Sequence, residues 1–410
     1  MNDAALDRIF RDASGRIVAA LAARFRCLDL AEDAFAEACV KAVEAWPISG
    51  IPHNLGGWLY RIAERRAIDA IRRQRTRERL ASEILPYDTP VQMAEEDDRA
   101  AIPDERLRLI FICCHPAVTT DARVALTLKL VCGLSVQEIS SAFLLTETAL
   151  AQRLVRAKRK IAEAGVPFDL PRPEDWIERL DAVLTTLEIA YAKAHEDAAG
   201  ASVHAGYASE ILEFTRVLAE LLPNEPEALA LASLVRFSEA RRPARLDDHG
   251  AMVPLSEQDP AHWRHSLIVA GDRYLRSALK LAPAGPRALQ AAIHGTWCAR
   301  GSLARPPPWR EVLALYDRLL EFRDDAVVRL NRAVAVSEVL GPQAALSEVE
   351  ALAQEGLRIF LPFHALHADL LRRLDRLQEA RAAYDAALAL HPTIAERLWL
   401  EGRKKSLAIG

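Results

Sequence analysis

The run Phe111-Ile112-Cys113-Cys114-His115-Pro116 sets two thiols beside an imidazole. These are the residue types of thiol catalysis and of zinc ligation. The spacing defeats both. Adjacent cysteines on a helix point about 100° apart, and no second C-x-x-C or H-x-x-x-H completes a metal set. Cys27, Cys39, Cys132 and Cys298 are scattered, and no glycine-rich phosphate loop stands out. The expectation is a protein without catalytic chemistry, cofactor or metal, in which Cys113 and Cys114 pack inside a helix.

Arginine is the residue type with something to do. Arg61 to Arg79 holds eight arginines against Glu64, Asp69 and Glu78, and Arg153 to Lys160 holds five basic residues and no acid. Between them, Leu80 to Pro103 holds six acids and only Arg99. The net charge is -4, and residues 1–165 are nearly balanced, with 24 Lys+Arg against 23 Asp+Glu. The separation of sign therefore matters more than the sum. Two basic patches flanking an acidic stretch suit two contacts on one polyanion.

The elements that must hold these patches are helices. Helical periodicity dominates and no alternating strand pattern appears, so the fold class is all-α. In the second patch, Ser135 and Glu138 form a capping box that starts a short helix. Phe143-Leu144-Leu145 makes a turn, and Thr146 caps the next helix. There Leu150, Leu154, Ala157 and Ile161 share one face, while Thr148, Gln152, Arg156 and Arg159 lie opposite. That is a helix-turn-helix with its second helix ready for a major groove. Gln152 and Arg156 are placed to read base edges. Arg153, Lys158, Arg159 and Lys160 are placed to hold phosphates.

The first patch is a helix from Trp58 to Arg79, with Arg61, Arg65 and Arg72 on one face, Arg66 and Arg73 beside them, and Leu59, Ile62, Ala63 and Ala70 toward the core. The loop Asn54-Leu55-Gly56-Gly57-Trp58 offers an amide, flexible backbone and an aromatic ring on which an unstacked base can sit. Ahead of it, a helix from Leu30 to Trp46 buries Ala31, Phe35, Ala38, Ala42 and Trp46. It turns Glu32, Asp33, Glu37, Lys41 and Glu44 outward. An acidic face suits a protein rather than DNA. The earliest helix runs through Phe25.

Residues 80–103 read as an acidic linker and 104–165 as the second helical block, and Pro167, Pro171 and Pro173 mark the next boundary. Residues 174–410 are rich in Ala and Leu. There Ala368, Ala380, Tyr384, Ala387 and Pro392 follow the spacing of a tetratricopeptide (TPR) unit, and Ala333 and Ala345 repeat the first pair. Small residues at these places let two antiparallel helices approach closely. A helical repeat array of this kind offers a surface to a protein or peptide partner. Half the residues are apolar, yet no uncharged run reaches the roughly 18 residues of a membrane span. The first ten residues already carry Asp3, Asp7 and Arg8, which is no secretory signal. The expectation is a cytoplasmic protein that does not enter membranes.

The order of these features resembles an extracytoplasmic-function sigma factor of the sigma-70 family. Leu30 to Ala38 resembles the family's region 2.2. Trp58-Leu59-Tyr60-Arg61-Ile62-Ala63 with Arg66-Ala67-Ile68-Asp69 resembles regions 2.3 and 2.4, and Asp104 through Ile161 resembles region 4. Phe111 to Pro116 and Ala151 to Ala157 resemble the subgroup whose sigma core carries a C-terminal TPR-like extension. The family pattern usually has Pro and Ala where this chain has Leu55 and Gly57, and the Asn-Glu-Gly-Tyr stretch that usually opens the subgroup's extension is missing, with Leu187 to Tyr191 standing nearby.

The resemblance implies a division of labour. Region 2, residues 1–79, would dock on the clamp of the polymerase β′ subunit through Glu32, Asp33, Glu37 and Lys41. It would open the −10 element through Asn54, Trp58, Arg61, Arg65, Arg66, Arg72 and Arg73. Region 4 would read the −35 element through Thr146, Thr148, Gln152, Arg153, Arg156, Lys158, Arg159 and Lys160. Core RNA polymerase, through its β′ and β subunits, and promoter DNA would be the partners, with the C-terminal helices regulating activity. The competing reading is a helix-turn-helix regulator with a TPR-like sensor, which binds duplex DNA and never joins polymerase.

Overall fold

The computed structural model describes residues 3–81, 105–142, 145–166, 168, 173–196, 205–353 and 357–407. No strand occurs among them. One antiparallel bridge, Leu246 to Met252, ties off a loop. The all-α expectation holds.

Two compact units divide the chain, residues 1–190 and 191–410. The first opens with α1 (Asp3–Phe25), α2 (Leu28–Ser49) and α3 (Leu55–Ala81). Then come α4 (Arg106–Cys113), α5 (Thr120–Leu130), α6 (Val136–Ala142) and α7 (Glu147–Glu163). The linker read at 80–103 lies outside the described residues except for its first two positions, which extend α3.

Helix α2 runs past Trp46, where the sequence reading stopped it at Pro47. Proline costs one helical hydrogen bond. Here that loss falls on an exposed turn, and the following groups are satisfied: Ser49 Oγ donates to the Ala45 carbonyl at 2.9 Å and Gly50 N to that of Trp46 at 3.1 Å. Leu28, Ala31, Ala34, Ala38, Ala42 and Trp46 are its buried stripe. Phe35 is only half-buried, and Ala34 takes the place expected of it. Phe10, Trp46 and Trp58 pack their rings at a tilt, with centroids 5.8 and 5.5 Å apart, which knits α1, α2 and α3 together.

Helix α8 (Pro173–Glu196) crosses the unit boundary. Its Thr186 shares a side-chain hydrogen bond with Cys114 of α4's end, so its first part belongs with α4–α7.

The second unit contains α9 (Ala205–Leu221), α10 (Pro226–Arg241), α11 (His265–Leu281), α12 (Pro286–Cys298) and α13 (Trp309–Leu320). It continues with α14 (Ala326–Val339), α15 (Pro342–Leu352), α16 (Leu361–Arg373), α17 (Leu377–Ala389) and α18 (Ile394–Ser406). Ala228 through Arg241 of α10 are all buried, as expected of a helix with neighbours on every side. Ala333 and Ala345 lie where α14 meets α15, and Ala368, Ala380, Tyr384 and Ala387 where α16 meets α17. All are fully buried. The small side chains are what let the paired helices close on one another.

Candidate nucleic-acid interface

Helix α7 is built by its own first turn. Thr146 is the N-cap, and its Oγ1 accepts from Ala149 N at 3.2 Å. Leu150, Leu154, Ala157 and Ile161 are buried. Their spacing fixes the helix's rotation, so Thr148, Gln152, Arg156, Arg159 and Lys160 are exposed. The capping residue expected of α6, Glu138, and two residues of the turn, Phe143 and Leu144, lie outside the described side chains. Val155 is also on the outer side, 62% exposed, between Gln152 and Arg159. Sequence reasoning passed over it. The signal was an apolar residue off the apolar stripe, which a thymine methyl group could meet.

Besides the capping Thr146, three of the eight residues expected at this face are engaged within the protein. Arg159 pairs with Glu163 one turn on, at 3.3 Å. Arg153 reaches Asp121 at the start of α5, 3.5 Å away. Lys158 is held by Asp29 and by Glu32, the latter at 2.8 Å. Burial by itself lowers the Lys158 pKa, but hydrogen bonds to the two carboxylates outweigh that and leave it raised.

The first patch starts one turn earlier than expected. Helix α3 begins at Leu55, and Asn54 is its cap: Asn54 Oδ1 accepts from Gly57 N at 2.9 Å. A Cβ at position 57 would stand 2.6 Å from Asn54 Nδ2, so glycine is what lets the amide fold over the helix start. The stretch Leu55 to Trp58 is thus ordered helix rather than a flexible loop. Asn54 stays exposed, and Trp58 is half-buried against Trp46. Along α3, Arg61, Arg65, Arg72 and Arg73 are exposed, while Leu59, Ala63 and Ala67 are buried and Ile62 and Ala70 half-buried. Arg66 leans on Glu37 of α2 at 3.6 Å. A mainly basic face, interrupted by the exposed Asp69, therefore stands on an apolar one, as contact with a phosphate backbone requires.

Residues 9–77 match the sigma-70 region 2 family and residues 108–161 the sigma-70 region 4 family. Residues 179–279 match a family of unknown function (DUF6596). The chain is also 37% identical over 407 residues to an uncharacterized protein of Rhizobium meliloti (strain 1021), covering 98% of this chain and 96% of that one. The chain belongs to the sigma-70 family. It is a sigma factor of the extracytoplasmic-function kind with a C-terminal helical extension. No solved structure matches it.

A sigma factor acts in transcription initiation, on RNA polymerase and promoter DNA. Region 2 is what separates it from the duplex-binding regulator, which has no use for α2. In this sigma factor α2 presents Asp33, Glu37, Lys41 and Glu44 to solvent, with Glu32 half-buried. Beside them stand exposed apolar residues that composition alone did not single out: Val40, Val43 and, 89% exposed, Ile48. Apolar groups interleaved with charge are the makeup of a protein-binding face.

The thiols are elsewhere. Cys113 and Cys114 are fully buried at the end of α4. Burial drives the Cys113 thiol well above its usual range and Cys114 up to about 11, which keeps both protonated. His115 is anchored by its backbone, whose carbonyl accepts from Arg123 Nε at 3.2 Å. Among the described residues no group of three or more His, Cys, Asp or Glu side chains forms a metal site, and no helix is long and apolar enough to cross a membrane.

Proposed function

We propose that the chain is an alternative sigma factor that carries core polymerase to promoters with two separate recognition elements. The observation behind this reading is the opposition of faces. A basic face on α3 and another on α7 suit DNA, while α2 shows acids and bare apolar residues that suit a protein.

In this reading α2 docks on the β′ clamp through Asp33, Glu37 and Lys41, with Val40, Val43 and Ile48 adding apolar contact. Asn54 and Trp58 stand at the edge where a −10 base leaves the stack, and Arg61, Arg65, Arg66, Arg72 and Arg73 hold the neighbouring phosphates. Unstacking costs a few kcal/mol per step, so the captured base and the phosphate contacts must offset it together. On the −35 element, Gln152 and Arg156 take base edges, with Thr148 and Val155 beside them. Arg153, Lys158, Arg159 and Lys160 hold the backbone. The rest of region 4 contacts the β subunit.

The helices of the second unit, among them the packed pairs α14–α15 and α16–α17, regulate this activity by taking a protein or peptide partner. The protein works in the cytoplasm, where its polymerase is. To isolate that role, the truncation belongs after Glu196, leaving α8 in place, because Thr186 serves the first unit. Unchanged polymerase binding and promoter output in the truncated chain would remove the regulatory reading.

Selection from a random duplex library tests the main reading. With core polymerase present, the full chain is expected to enrich a two-part motif, and without polymerase no such pair. Recovery of one motif or a palindrome, equally well without polymerase, would favour the duplex-binding regulator.

A further inference from the structure

The last turn of α10 buries two opposite charges with different surroundings. Glu239 accepts from the Tyr191 hydroxyl at 3.0 Å and from Arg242 Nη1 at 3.2 Å, so its carboxylate is taken. Arg241 is only 5% exposed, and its partners are neutral. Nη1 donates to the His294 carbonyl at 3.3 Å and Nη2 to His294 Nδ1 at 2.5 Å, and the guanidinium also bonds the Cys298 thiol. These contacts engage three of the five N–H groups that an arginine carries. Among the described residues no carboxylate pairs with Arg241. A guanidinium out of water is costly unless an anion faces it.

Two more donors stand beside it. His294 and Cys298 lie four residues apart on one face of α12. That face meets the end of α10, where Ser238 Oγ lies 3.1 Å from His294 Nδ1 and Cys298 Sγ donates to the Phe237 carbonyl at 3.8 Å. With Nδ1 accepting from Arg241, the His294 proton is on Nε2. On α13, Tyr316 feels the same Arg241 charge as His294 and Cys298 do. Burial pushes the Tyr316 hydroxyl up to about 12, so it stays protonated. Among the described residues neither His294 Nε2 nor the Tyr316 hydroxyl has a hydrogen-bond partner. Both side chains lie deep among protein atoms yet keep part of their surface open, as on the wall of a recess.

Donors without an acceptor, gathered around one positive charge, define an anion. One guanidinium balances one carboxylate, whose two oxygens can share the arginine fork and two neutral donors. A phosphate dianion would bring a second negative charge with no cation to meet it. We infer that the second unit binds the carboxylate of a small organic acid between Arg241, His294 Nε2 and the Tyr316 hydroxyl. Trp309, two turns before Tyr316 on the same face of α13 and packed edge-on to Trp297, offers the acid's carbon chain an apolar wall. The site lies within the second unit and does not rest on the sigma reading.

Calorimetric titration of the full chain tests it, with acetate, butanoate and hexanoate, each beside its neutral amide, and with inorganic phosphate. Saturable binding of at least one acid is expected, with none by its amide and weaker binding of phosphate. Tyr316→Phe keeps the ring and should weaken the acid about tenfold, the loss of one hydrogen bond to a charged acceptor. Arg241→Met should abolish binding. It also separates a ligand-binding arginine from a structural one. Replacing an unpaired buried charge by an apolar side chain of similar length should leave the melting temperature of the ligand-free protein equal or higher. A fall would show that the neutral partners already satisfy Arg241, and would remove the reason for an anion. No acid binding, equal binding of acid and amide, or acid binding that both substitutions leave unchanged would overturn the site.

Discussion

Arg156 and Lys160 are both exposed cations on α7, yet their positions give them different work. Arg156 lies one turn from Gln152, on the face opposite Leu154, so Arg156→Ala should cost about 1–3 kcal/mol of −35 discrimination. Lys160 sits near the helix end, so Lys160→Ala should weaken all sequences alike and lower the salt slope by about one. Fluorescence anisotropy on a matched and a scrambled −35 duplex separates the two, and equal loss for Arg156→Ala on both would reduce it to a phosphate contact. Much at this scale was legible beforehand. The Thr146 cap and the Leu150-Leu154-Ala157-Ile161 stripe depend on residues within four positions, and local spacing states them. Lys158 was not legible, because its partners lie 126 and 129 positions away and charge alone assigned it to DNA. Asn54 was half-legible. A side-chain amide three residues before Gly57 is a capping arrangement, but glycines beside it read as a flexible loop until the close approach of Gly57 to the amide was seen.

At the scale of elements, the helices follow from where small residues fall. Ala380 is fully buried where α17 faces α16. Ala380→Leu forces extra methylenes into a packed seam and should cost about 1–3 kcal/mol, read by urea unfolding of the full chain. No change in the midpoint would mean that α16 and α17 do not close as described. The seam itself was visible in the alanine spacing, whereas the ends of α2 and α3 were not. Pro47 reads as a stop, yet α2 continues because the lost bond lies in solvent. Burial of α10 on every face could not be read from its periodicity, since that requires knowing how many neighbours it has.

For the whole molecule, His294 ties second-unit stability to pH. Arg241 Nη2 lies 2.5 Å from His294 Nδ1. Arginine has no acceptor, so Nδ1 must accept, and the ring is neutral with its proton on Nε2. Burial, and then the Arg241 charge, hold its pKa well below 6.5. A folded-state pKa depressed below the unfolded value means that this contribution is complete above about pH 6.5 and is lost as pH falls through that range. Thermal unfolding should show a steeper loss below pH 6.5 than His294→Gln shows, and identical pH profiles would contradict the assignment.

A sigma factor needs α2 as a polymerase-docking face, without which two DNA-reading patches make only a DNA-binding protein. The most direct measurement is co-elution of the full chain with sigma-free core polymerase at moderate salt, with promoter DNA present and absent. Such a docking face makes co-elution the expected result, lost when Asp33 and Glu37 are changed to Arg. Failure to co-elute under either condition, or co-elution indifferent to the charge reversal, would contradict it.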